Sequence, residues 1–299
     1  MAPNNPRPGS PVPAAQAAAP HADGTKLDAR RGDLECMAGF ASGRYTNVVA
    51  PFWFLVAAGL TVVSALVIVF LLRNTYFYQM ITRCWTNWVV ILLTWWCLLM
   101  LYSKWTKTNI QRQALRVQDL IPRRGDFVLS PGTAGEILRR LRATAERPKD
   151  YMLFRRINMA LSNLDNLGEV RDVGMVLESQ GDSDASSVDS SYTVIRALIW
   201  TIPILGFIGT VIGLSESIRA FTDVLNLSAS DASSIKAKLQ PVVGGLATEF
   251  ETTLVALITA VVVQLLSTWV FRREEILLDE VTDYCNEHVL SRLKLTDWR

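Results

Sequence analysis

The chain has 299 residues, half of them apolar, and a formal net charge of +2. That composition excludes an ordinary water-soluble protein, and the small net charge gives no sign of a nucleic-acid partner. Cys36, Cys84, Cys97 and Cys285 are scattered, without the spacing of a zinc site or a disulfide framework.

Residues 1–22 are rich in Pro and Ala and cannot bury enough apolar surface to fold. A disordered tail is expected over 1–45, with no cleavable signal and a retained first span. Four stretches then lack Asp, Glu, Lys, Arg and His: Arg44 to Arg73, Arg83 to Lys104, Arg196 to Glu216 and Glu251 to Arg272. Crossing a bilayer core takes about 20 apolar residues of helix, so each stretch predicts one span that satisfies its own backbone hydrogen bonds. The chain reads as an all-α integral membrane protein with four transmembrane helices and long helical cytoplasmic extensions. Residues 1–50, 103–193 and 272–299 carry 24 Lys and Arg against five in the other two connections. Positive charge marks the cytoplasmic face, so both termini are expected inside.

Spans one and two (46–103) are expected at the periphery. Trp85, Trp88, Trp95 and Trp96 in the second suit a lipid-facing helix with aromatic ends. Residues 104–193 read as a cytoplasmic helical region: an extension of span two, a stop at Pro122 and Gly125, a short helix in PGTAGEILRRLRATAERP, and a helix from Asp150 to about Leu177. The polar run SQGDSDASSVDSS (179–191) reads as a loop, and 272–299 as an amphipathic helix continuing span four. No cluster suits a metal, a cofactor or nucleophilic catalysis, and an enzyme is not expected.

Spans three and four, within 194–271, are unlike ordinary spans. Pro203, Gly206, Gly209, Thr210, Gly213 and Ser217 form one small or polar face of a helix. Thr252, Thr253, Ala256, Thr259 and Ala260 gather similarly on the fourth. Such faces serve close helix packing, or a narrow path in which hydroxyls and carbonyls order water or replace an ion's hydration shell. The two readings are compatible.

LGFIGTVIG (205–213) and GLATEFETTLVAL (245–257) resemble the third- and fourth-span signatures of the MotA/TolQ/ExbB family of ion-driven membrane motors. The resemblance covers about 80 residues, Ile195 to Phe271. It implies a homopentamer in the bacterial inner membrane, enclosing a dimer of a single-span MotB/ExbD/TolR-like partner. On that resemblance Thr210 and Thr253 match the threonines that face the ion path, with Thr252 beside them. The transported ion is then H+, with Na+ as second choice.

The uncharged stretches contain no titratable carboxylate. A threonine hydroxyl orients water but does not relay charge alone, and intramembrane carboxylates typically do that work. The missing group, an aspartate, is therefore expected on the partner. The glutamate of the ExbB/TolQ branch five residues before the fourth-span threonine is Thr248 here. Glu216, Glu249 and Glu251 are candidate outer-mouth acids, or for the latter two markers of a helix start, where carboxylates are favoured. The competing reading is a non-conducting oligomeric scaffold for cytoplasmic partners.

Overall fold

The computed structural model describes residues 26–30, 32–37, 39, 45–71, 73, 78, 82, 85–117, 121, 129, 131–162, 170–225 and 232–293. Among them the chain is helical, with isolated bridges in place of strands. In chain order the helices are α1 (Leu34–Met37), α2 (Ala50–Leu71), α3 (Trp85–Leu115), α4 (Pro131–Thr144), α5 (Met152–Ser162), α6 (Val170–Ser191), α7 (Thr193–Leu225) and α8 (Ala232–His288). Four of these segments are long and apolar enough to cross a membrane. The chain is a membrane protein.

Each span forms where the charge-free stretch predicts it, but the helices run further. α3 passes without a break from span two into KWTKTNIQRQAL. α8 has 57 residues, about 86 Å at 1.5 Å per residue. α7 and α8 pack along most of their shared length, α3 lies against both, and α2 leans on α3. The Trp96 indole N–H donates to the Ala50 carbonyl at 3.0 Å, and Phe54 meets the Trp96 ring edge-on. Span two is therefore an interior helix, contrary to the expectation of a peripheral one. Thr86, Asn87, Val90 and Cys97 are buried along it, while Trp96 faces α2. Span one is the peripheral helix: Leu55, Val62, Leu66 and Phe70 stay exposed, as suits lipid.

The other end of the molecule is a basal layer of α4, α5, α6 and the lower parts of α3 and α8. Its core includes Ile137, Leu141, Phe154, Ile157, Leu277 and Val281. α4 forms where the sequence places it, and Leu277, Val281 and Tyr284 face the core as expected. Both described ends are tied here, Leu27 to Ala145 and Leu293 to Leu129 by parallel bridges.

Two expectations fail in this layer. The run 179–191 is not a loop but the second half of α6. Val173, Leu177, Asp184 and Val188 are buried at helical spacing, and burial of that face outweighs the weak helix propensity of Ser and Asp. The N-terminal tail is not disordered through residue 45. From Lys26 onward the described residues are built in: Glu35 accepts hydrogen bonds from the Val49 amide at 3.0 Å, the Trp53 indole at 2.7 Å and the Lys107 ammonium at 2.6 Å. Residues 1–25, Pro122 and Gly125 lie outside the described residues.

A proline separates helix from loop at 179–191. Ser186 is exposed in mid-α6, so Ser186→Pro should cost about 3 kcal/mol of stability, read as a lowered thermal midpoint. An unchanged midpoint would restore the loop.

Candidate functional site

The two small-residue faces meet. Gly206 and Gly209 put bare backbone of α7 against α8, and a side chain there has no room. A Cβ on Gly206 would lie 2.5 Å from the Ala256 Cβ, and one on Gly209 would lie 2.8 Å from the Thr86 hydroxyl and 3.1 Å from Thr252 Cγ2. Close approach of this kind is what small residues permit between helices in lipid. Pro203 sits one turn away within α7; lacking an N–H, it cannot make its own i→i−4 bond.

At this contact the hydroxyls of Thr210 and Thr253 are hydrogen-bonded to each other. Each hydroxyl also lies within hydrogen-bond reach of one acceptor, the Gly206 carbonyl, at 3.2 and 3.1 Å; with one proton each, one threonine donates to the other hydroxyl while its partner donates to the carbonyl. The carbonyl is thus within reach of a donor on α8 as well as one on its own helix. The two threonines are half-buried, whereas Thr252 is buried. Thr252 packs toward Gly209 and Thr86, on the side of α7 and α3. The structure therefore brings Thr210, Thr253, Gly206 and Ala256 into one site and sets Thr252 behind it. Gly213 is buried further along α7.

The acids stand apart from one another in exposure. Glu216 is exposed and Glu251 half-buried, each on a helix. Helix-start carboxylates they are not: α8 begins at Ala232, so Glu249 and Glu251 lie well inside it. The side chain of Glu249 is outside the described residues. Likewise the connection between spans three and four is mostly helix, since α7 continues to Leu225.

Sequence reasoning missed Thr86, which caps the contact from α3, and a set of buried ions below the spans. Lys104 on α3 and Glu274 on α8 pair at 3.2 Å with almost no exposure. The same ammonium donates to the Ser191 hydroxyl at 2.8 Å and lies 4.1 Å from the Tyr192 ring centre. Burial holds the Lys104 ammonium below its ordinary range and lifts the Glu274 carboxyl above its own, each countered by the other's charge. Deeper in the basal layer, buried Arg156 donates to Asp184 and to the Thr282 hydroxyl, both at 2.8 Å, joining α5, α6 and α8. Removing one member of a buried pair strands a charge and costs about 3–5 kcal/mol. One signal was available for Glu274. It stands in register with Ala256, Val263, Val270 and Leu277, the buried stripe of α8.

Among the described residues no group of three or more His, Cys, Asp or Glu could hold a metal. What the site can do is orient water or ligate a bare cation through two hydroxyls and a carbonyl.

The MotA/TolQ/ExbB proton channel family model matches residues 144–282. The match is wider than the span pair, taking in α5, α6 and most of α8. No curated protein and no solved structure matches the chain.

The packing reading makes a direct prediction. Gly206→Ala should loosen the α7–α8 contact and lower the thermal midpoint by several degrees. Ala256→Gly in the same chain should restore most of the loss, because it removes the atom met at 2.5 Å. Independent, additive losses in the double variant would contradict that contact.

Proposed function

From the place of residues 144–282 in the MotA/TolQ/ExbB proton channel family, we propose that this chain is the ion-conducting, stator-like subunit of a membrane motor. It couples the ion-motive force to mechanical work with a single-span MotB/ExbD/TolR-like partner. The observation that carries this reading is the Thr210–Thr253 hydroxyl pair converging on the Gly206 carbonyl. In a membrane, unwound or shared carbonyls and hydroxyls serve as the lining of narrow ion paths.

The mechanism follows from what these groups lack. Neither hydroxyl ionises near neutral pH, and the four uncharged stretches hold no carboxylate. The titrating group is an aspartate on the partner's helix. The threonines order the water from which that aspartate takes a proton and to which it returns one. A homopentamer around a partner dimer presents the hydroxyl pair repeatedly to each carboxylate, so that successive protonations step one ring past the other. The basal layer and both termini lie in the cytoplasm of a bacterium, on the positive-inside count, and the spans cross its inner membrane.

The competing reading, a non-conducting oligomeric scaffold, draws on the tight packing at Gly206 and Gly209, which needs no ion. Threonine-to-valine variants separate the two, since valine keeps the shape and removes the hydroxyl. In vesicles holding the complex, Thr210→Val and Thr253→Val should each cut proton flux at least about tenfold, or roughly 1.4 kcal/mol of barrier, with assembly preserved. Undiminished flux in both would remove the hydroxyl pair from the ion path, and absence of flux from the unmutated, assembled complex would favour the scaffold. Flux that survives removal of sodium identifies H+ as the ion.

A further inference from the structure

α6 and α7 are one long helix broken at a single residue. α6 ends at Ser191 and α7 starts at Thr193. At the break the Tyr192 amide donates to the Asp189 carbonyl at 3.1 Å, a three-residue step, while Arg196 resumes the four-residue step onto the Tyr192 carbonyl at 2.8 Å. A local tightening of this kind inside a helix is a recurrent mark of a hinge. It lies at the lower end of span three, directly between the basal layer and the helix that carries Thr210.

One ammonium holds this joint from every side. Lys104 reaches the last residue of α6 through the Ser191 hydroxyl, the joint itself through the face of Tyr192, α8 through both Glu274 oxygens at 3.2 Å, and the chain before α2 through the Thr46 carbonyl at 3.5 Å. Tyr192 also meets Phe271 of α8, edge to face at 5.0 Å. A buried pair of this kind is weak evidence for stability, since its desolvation cost rivals its attraction, and holding one specific arrangement is its best-attested use.

We propose that Ser191–Tyr192 is a hinge between the basal layer and span three, and that Lys104 and Glu274 are positioning residues that clamp it. The clamp sets the angle at which α7 presents Thr210 to Thr253, and makes span three and the basal layer move as one body. This role rests on the ion-path reading of the hydroxyl pair. The ion path conducts efficiently only with the hinge held.

The test replaces the pair by apolar residues of similar volume, Lys104→Met with Glu274→Met, in full-length chain purified with its partner from host membranes. Spin labels at Asp182→Cys on α6 and Ile204→Cys on α7, both exposed positions, report the hinge. Cys36 and Cys84 are replaced by serine, and labelled chain is diluted with unlabelled. The unmutated pair should give one narrow distance. The double variant should assemble to the same mass, show a second distance population, and lose at least tenfold in proton flux. A single unchanged distance in the double variant would overturn the clamp and reduce the pair to a structural contact. A second population with full flux would overturn its link to the ion path. Absence of flux in the unmutated complex would sink the ion-path reading instead, and the distance distribution would still decide the clamp.

Discussion

The backbone of α7 meets α8 at Gly206, where the only free space is that left by a missing Cβ, 2.5 Å from the Cβ of Ala256. Everything distinctive about the upper half of the molecule follows from that approach. It brings Thr210 and Thr253 close enough to share the Gly206 carbonyl, and it draws Thr252 inward onto Gly209. Packing and polarity are therefore not rival explanations of the small-residue faces. The absence of side chains creates the contact, and the contact positions the hydroxyls.

Below the spans the cohesive principle changes from small residues to buried charge. Lys104 with Glu274, Lys107 with Glu35, and Arg156 with Asp184 are all nearly inaccessible. The first two join elements remote in sequence, the third joins the consecutive α5 and α6 and reaches α8 through Thr282, and together they tie the N-terminal segment, α3, α5, α6 and α8. Such pairs add little net stability but penalise every other arrangement. On the proposed function, force passes from a membrane-embedded site to the basal layer, which calls for rigidity in register more than for free energy of folding. The long helices α3 and α8 supply the rods, and the ion pairs keep them aligned.

Much of this was legible in the sequence. The spans declare themselves because charge is excluded from them; the small, polar faces show in the periodicity of LGFIGTVIG and FETTLVAL, and the resemblance of those runs to the family signatures is what singles out the threonine pair. What stayed hidden depends on contacts across the chain. The Ser- and Asp-rich run of 179–191 looks solvated until Val173, Leu177 and Val188 are seen buried on the other face of the helix. Asp33 and Glu35 read as part of a disordered Pro/Ala-rich tail because the partners of Glu35, Val49, Trp53 and Lys107, lie up to 72 residues on. Trp96 looks like a headgroup anchor until its contacts with Ala50 and Phe54 of α2 are seen. The register of Glu274 within the stripe from Ala256 to Leu277 was readable, whereas its pairing with Lys104, 170 residues away, was not.

The central claim is that this chain is one half of a machine whose titrating carboxylate sits on another protein. Native mass spectrometry of the complex, released gently from its own host membranes, tests it most directly. The account predicts five copies of this chain holding two copies of a single-span protein with an aspartate inside its span. A monomer or dimer, or a pentamer that repeatedly emerges with no second protein, would contradict it.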